Sequence, residues 1–378
     1  MSKKIGVLTL INSINYGGTL QAIALNHTLK KLGCDVEFIN YGNDWPVWNS
    51  PTKTINVLQR YYKKFTPFVR VKIVCKAFLT LLSNIHYFST KRKYTKYKTY
   101  VCTHVKLTSK CLHYEDLKRL PSFDVYIVGS DQVWNPHIMN SDSVDPAYLL
   151  EFADSGATKI SYAASTGGIK KDTEVLEIIK ATKSFAGVSL REKSVCEQFI
   201  RLGCNNATSV LDPTLLLDKN EWEKYETKCT IPKDSIIVYC LCYSQKIRAA
   251  LDELSANGKK IIDISANAIK HPAVCRHITA MTPGEFLYLI RNAHSILTDS
   301  FHGTVFSIIY HKQFVSLLRE GQEARVKDLL IDLQLSERMD VPVDEIISSL
   351  DTLIDYKIVD QLLANQRIES FLYIEKYV

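Results

Sequence analysis

Metal-binding signatures are missing from this 378-residue chain. Its ten cysteines, Cys34 through Cys275, are scattered. None forms a Cys-x-x-Cys pair and no Cys/His spacing suits zinc, so no metal and no resident cofactor are expected. No apolar stretch reaches the roughly 20 residues that a bilayer requires, which argues against a transmembrane anchor. A Gly-x-Gly-x-x-Gly run is lacking too, which argues against a nicotinamide cofactor. Short-period internal repeats and low-complexity tracts are absent as well. Met1-Ser2-Lys3-Lys4 runs straight into a strand rather than into a leader. Thiols scattered through such a chain read as a reducing cytoplasm.

What is present is ordinary in amount and uneven in placement. Hydrophobic residues make up 46% and charged residues 23%, the balance of a soluble globular protein with a core of its own. Length allows two or three domains. Residues 51–119 carry 16 Lys/Arg against two acids, Glu115 and Asp116, and so hold +14 of a chain whose net charge is +7. The basic residues alternate with aromatic and apolar ones, as in Lys91-Arg92-Lys93-Tyr94-Thr95-Lys96-Tyr97-Lys98. That composition suits an anionic membrane surface, a solvated helical face or a nucleic acid. Nothing else in the chain resembles a nucleic-acid module, so a nucleic-acid partner is not expected.

Apolar strand-length runs alternate with helical spacing, the signature of parallel α/β sheets. The first such unit is Lys4–Leu10, the turn Asn12–Gly18, a helix over Thr19–Leu32 ended by Gly33, and a strand Val36–Asn40. Asn15-Tyr16-Gly17-Gly18 at that helix N-terminus can cradle a polar ligand. About residues 44–120 break the alternation and read as a basic helical insertion. The strand Phe123–Val128 resumes it and ends in Gly129-Ser130-Asp131-Gln132-Val133-Trp134-Asn135-Pro136, a polar cluster at the edge where open α/β sheets bind ligands. Capping would use only one or two of those residues. Further strands are expected at Thr158–Ala164, Phe185–Leu190 and Ser209–Leu216. Arg191, at the end of the second of these, can grip a carboxylate or phosphate through its guanidinium fork. Residues 213–234 read as a linker. A second series follows, with strands at Ser235–Tyr243, Lys260–Ile264, Ser295–Thr298 and Gln313–Leu317.

The passage Ile296–Ile309 is the centre of the second series. It opens as a buried strand, breaks at Thr298-Asp299-Ser300-Phe301-His302-Gly303-Thr304 and closes in a helix expected over Val305–Tyr310. Its turn sits at a helix N-terminus, which favours an anion, and His302 can add a proton there. Two α/β units are therefore expected to face a central cleft. The first, 1–212, includes the insertion; the linker 213–234 leads to the second, 235–354. A last helix, 355–378, can pack back on the first.

Six motifs, in order, resemble the polysaccharide pyruvyl transferase family. They are Asn15-Tyr16-Gly17-Gly18-Thr19-Leu20-Gln21, Val128 through Asn135, Ile160-Ser161-Tyr162-Ala163-Ala164-Ser165, Ser189-Leu190-Arg191-Glu192, Val210 through Leu216, and Thr298 through Thr304. The resemblance implies an α/β fold of two Rossmann-like domains of the GT-B type. It implies transfer of pyruvate from phosphoenolpyruvate to a sugar of a cell-envelope or exopolysaccharide precursor, often lipid-linked. His302 would then be the general acid and Asp131 the group that orients or deprotonates the sugar. Arg191, Ser300, His302, Gly303, Arg319 and Arg325 would hold phosphoenolpyruvate. Asn15, Tyr16, Gly17, Gly18, Gln21, Ser130, Gln132 and Trp134 would line the acceptor side. Better-known members carry Arg-Leu-His where this chain has Ser300-Phe301-His302, so Arg319 or Arg325 is the expected substitute cation. A nucleotide-sugar glycosyltransferase and a non-catalytic glycan-binding protein are the alternatives. The basic segment adds an expected peripheral association with anionic membrane.

Overall fold

The computed structural model describes residues 2–12, 15–42, 94–136, 143–168, 171–265, 270–321 and 323–378. Most of the basic insertion, residues 43–93, lies outside the described residues. Its end, 94–104, is helical.

In the N-terminal half, β1 (Lys4–Leu8), β2 (Asp35–Phe38), β3 (Val125–Val128) and β4 (Thr158–Ser161) form a parallel sheet in the order β2-β1-β3-β4. Parallel strands covered on both faces need unbroken apolar runs, and Val-Tyr-Ile-Val of β3 is buried throughout. The sheet continues through single parallel bridges, Ile160 to Gly187 and Ala164 to Leu190, into β5 (Val188–Leu190) and β6 (Ala207–Ser209). Helices α1 (Tyr16–Lys31), α2 (Asp172–Ala181) and α3 (Lys193–Arg201) make the crossovers.

The C-terminal half is a second parallel sheet, in the order β11-β10-β7-β8-β9. Its strands are β7 (Ser235–Tyr239), β8 (Lys260–Asp263), β9 (Arg276–His277), β10 (Ser295–Thr298) and β11 (Gln313–Ser316). Helices α4 (Gln245–Ala256), α5 (Pro283–Asn292), α6 (Phe301–Ile309) and α7 (Glu323–Asp332) connect or cover them. The two-residue β9 has no apolar run to announce it in the sequence.

Three expectations change. The strand expected over Ser209–Leu216 is instead β6, which ends at Ser209, followed by a 3-10 turn over Pro213–Leu216. Asp212 caps that turn by accepting the Thr214 N–H, and Pro213 cannot extend a strand ladder. The stretch 213–234 is no loose linker: Trp222 is fully buried and its indole N–H donates to Thr214 O at 3.0 Å. Finally, α6 begins four residues earlier than its spacing suggests, because Ser300 Oγ accepts the Gly303 N–H.

Helix α8 (Tyr356–Glu375) returns to the N-terminal half. Tyr373 Oη donates to Ser161 O at 2.9 Å, and Arg367 Nε and Nη2 donate to Leu215 O and Leu217 O. Side chains also cross the junction directly: Asp328 of α7 accepts the N–H and O–H of Ser194 at the start of α3. Tyr16 stacks on Phe286 of α5 at 4.9 Å.

Candidate active site

In each sheet the chain order reverses beside the first strand: β1 lies between β2 and β3, and β7 between β8 and β10. The crevice outside such a reversal is where open α/β sheets hold ligands. Gly17 and His302 lie in the first turns of the helices that follow β1 and β10, and Asp131 in the loop that leaves β3. The structure brings all three together, with Arg191 and Asp212 beside them.

His302 occupies the first turn of α6 and is 5% exposed. A Cβ on Gly17 would stand 1.9 Å from its Nδ1, so the glycine exists there as room for the imidazole. Nε2 faces Asp212 Oδ2 at 3.8 Å, too far for a hydrogen bond and close enough for charge attraction. Among the described residues that nitrogen has no hydrogen-bond partner.

Asp131 follows β3 with φ +70°, a left-handed conformation that Asp tolerates better than most residues. The turn places Oδ1 3.8 Å from Arg191 Nη1. Arg191 itself is less available than expected. Its Nε donates to Glu192 Oε1 at 3.1 Å, its Nη1 to Asp212 Oδ2 at 3.1 Å, and its Cζ stands over the Phe301 ring, 4.6 Å from the ring centre. Burial works against that charge, but Glu192, Asp212 and Asp131 outweigh it and raise the guanidinium above its ordinary value. The fork expected to clasp an anion is thus two-thirds occupied by carboxylates. Among the described residues Nη2 alone of its nitrogens lacks a partner.

The sequence pointed past Asp212, reading it as part of a strand and loop. It is 1% exposed and saturated. Oδ1 accepts from the N–H and Oγ1 of Thr214; Oδ2 accepts from Arg191 and lies 3.0 Å from the hydroxyl of Ser130. Burial would raise this carboxyl, yet His302, Arg191 and Thr214 hold it well below the usual range. An Asp-Pro pair read within a strand gives no sign of partners 21 and 90 residues away.

On the other side, Arg319 and Arg325 are half-buried at the C-terminal rim. Arg319 makes no ion pair or hydrogen bond among the described residues. Burial and the neighbouring Arg191 push the Arg325 guanidinium down to about 10, so it stays charged at neutral pH. Asp299 accepts from Leu241 N–H and Cys242 N–H, and burial raises its carboxyl. A cavity of about 240 Å³ opens between the halves, lined by Arg191, Asp212, Phe301, Arg325, Leu329 and Ser370 among others.

Several expected acceptor residues are structural. Trp134 is fully buried, stacked on Phe199, with its indole N–H given to Tyr148 O at 3.0 Å. Gln21 is enclosed and braces the turn after β1 by donating to Thr9 Oγ1 and Gly18 O. Tyr16 is a junction aromatic, packed against Tyr97, Tyr239 and Phe286. Asn15 is exposed and caps α1 through the Gly17 and Gly18 N–H groups. Ser130 Oγ lies 2.9 Å from Ala163 O and 3.0 Å from Asp212 Oδ2, two acceptors for its one proton. Gln132 is half-buried, its carbonyl accepting from Asn135 Nδ2 at 2.7 Å. Gly18 lies against Asp131, where a Cβ would stand 3.3 Å from Oδ2. On the expected donor side, Ser300 is the α6 cap. Gly303 lets that helix sit on β10, since a Cβ there would stand 2.2 Å from Thr298 Oγ1. Among the described residues no three His, Cys, Asp or Glu side chains are grouped so as to hold a metal, and no helix is long and apolar enough to cross a membrane.

Fold and junction define a two-sheet α/β protein with its titratable residues gathered where the halves meet. Residues 15–320 match the family model for polysaccharide pyruvyl transferase. The chain belongs to that family, and is a transferase by that membership. No curated protein matches it. Among solved structures, UDP-GlcNAc 2-epimerase from Methanocaldococcus jannaschii is similar at 12% identity and TM-score 0.47, covering 94% of this chain and 93% of that one. The glycosyltransferase SnogD from Streptomyces nogalater gives 10% identity and TM-score 0.39, over 98% and 95% of the two chains. UDP-N-acetylglucosamine 2-epimerase from Rickettsia bellii gives 11% and 0.41, over 100% and 99%.

Proposed function

We propose that this protein transfers the pyruvyl group of phosphoenolpyruvate to two hydroxyls of one sugar in an envelope-glycan precursor, releasing phosphate. The observation that carries the reading is His302 of one half facing Asp212 of the other at 3.8 Å, with Arg191 bridging Asp212 and Asp131 at 3.1 and 3.8 Å. A proton passes from His302 to the terminal methylene, leaving C2 cationic. One sugar hydroxyl adds to C2 and gives up its proton, with Asp131 as the orienting or accepting group. Phosphate leaves with the electron pair of its C–O bond, and the second hydroxyl adds to C2 and passes its proton to the departing phosphate as the ketal closes. Arg319 and Arg325 supply the charge that a trianion needs, with Arg191 Nη2 as a single further donor. A lipid-linked acceptor and docking on anionic membrane through the basic segment complete the proposal.

The test is phosphate release from phosphoenolpyruvate in the presence of lipid- or aryl-linked sugars. Wild type should release phosphate with at least one acceptor. His302→Ala should lose about 10²- to 10⁴-fold in kcat with its melting temperature little changed. Absence of release with every sugar, together with a thermal shift on nucleotide-sugars alone, would overturn the reading.

A further inference from the structure

The two nitrogens of His302 have different surroundings. Nε2 is enclosed and faces Asp212 across the junction at 3.8 Å. Nδ1 lies on the side of the Asn15–Gly18 loop, over the bare Cα of Gly17. Asp212 receives donors from Thr214, Arg191 and Ser130, so its carboxylate cannot swing to follow a moving imidazole. It is a fixed negative point against which the ring orients. A nitrogen bearing hydrogen is favoured toward that point, and a bare nitrogen or its lone pair is not.

We infer that Asp212 is a positioning residue for the pyruvyl transfer proposed above, holding His302 in the Nε2–H tautomer. The catalytic half of this inference rests on that reading; the tautomer does not. In the step itself the imidazolium gives its Nδ1 proton to the methylene carbon. The Nδ1–H bond breaks as the C–H bond forms, and the ring relaxes to the neutral form whose remaining N–H faces Asp212. No oxidant or co-reactant is needed. Orientation of a catalytic imidazole by a buried aspartate is known to matter through the tautomer it selects.

The experiment is ¹⁵N NMR of the full chain with selectively labelled histidine, at about pH 9 where an ordinary imidazole is neutral. The His302 signals are assigned by their loss in His302→Gln. Wild type should show a protonated Nε2 and a bare Nδ1. Asp212→Asn should lose that preference and fall about 10²-fold in kcat, with the KM for phosphoenolpyruvate changed less than about threefold. A wild-type ring protonated on Nδ1 overturns the inference, as does an Asp212→Asn protein with tautomer and kcat unchanged. Should the variant fail to fold, the wild-type tautomer decides alone. A wild type inactive on phosphoenolpyruvate would remove the pyruvyl reading while leaving the tautomer measurement intact.

Discussion

Around Arg191 the N-terminal half sets three carboxylates, Asp131, Glu192 and Asp212, against one guanidinium. The C-terminal half brings two half-buried guanidinia and an imidazole, with Asp299 tied to backbone N–H groups. The first arrangement is nearly complete without a ligand. In the second, Arg319 makes no ion pair or hydrogen bond among the described residues. Buried ions have to be paired, so Arg191, Glu192 and Asp212 fix one another in place. The exposed part of the C-terminal cluster is where an incoming anion gains most. Under the proposed function, the donor goes to the C-terminal side and the sugar to the loops of the N-terminal side.

The contrast breaks most sharply at Arg191. Arg191→Ala would leave Glu192 and Asp212 buried without their counter-charge, a loss of about 3–5 kcal/mol. Thermal denaturation should show a melting temperature lower by about 6 °C or more, or no folded protein. Arg319→Ala removes a half-buried residue that makes no ion pair or hydrogen bond among the described residues, and should lower the melting temperature clearly less than Arg191→Ala. Equal losses in the two variants would erase the distinction.

Gly17→Ala tests whether the halves must meet closely. Its methyl would occupy the place of the imidazole. Displacing His302 by an ångström should cost about 10²-fold in kcat, measured by phosphate release. A variant with wild-type turnover would show that the close approach is incidental.

A smaller effect separates charge from shape at Asp212. Its carboxyl is lowered in the folded protein, so its stabilisation is full above the unfolded value of about 4 and is lost as pH falls beneath it toward the folded value. The stability gap between wild type and Asp212→Asn, from urea unfolding, should therefore be larger at about pH 7 than at about pH 3. A gap independent of pH would mean that packing, not charge, carries this residue.

These contrasts were only partly legible in the chain. The apolar runs that become β1, β3, β7 and β10 were plain, because strands covered on both faces must be apolar throughout. His302, Asp131 and Gly17 stood out as polar or small residues just past strand ends. Asp212 did not, because its value lies in partners that only the fold supplies. Trp134 misled in the opposite direction: an aromatic amid polar residues read as ligand surface, yet its indole closes a hydrogen bond inside the core. The start of α6 was misplaced because one serine cap outweighed the apolar spacing that follows it. Ser300 thereby sets the reach of His302.

Calorimetric titration of phosphoenolpyruvate into wild type and into an Arg319→Ala/Arg325→Ala double variant tests the division of labour most directly. The account predicts binding to wild type and at least about 30-fold weaker binding to the double variant, the loss of two charge-assisted contacts at about 1 kcal/mol or more each. Unchanged affinity in the double variant would contradict it.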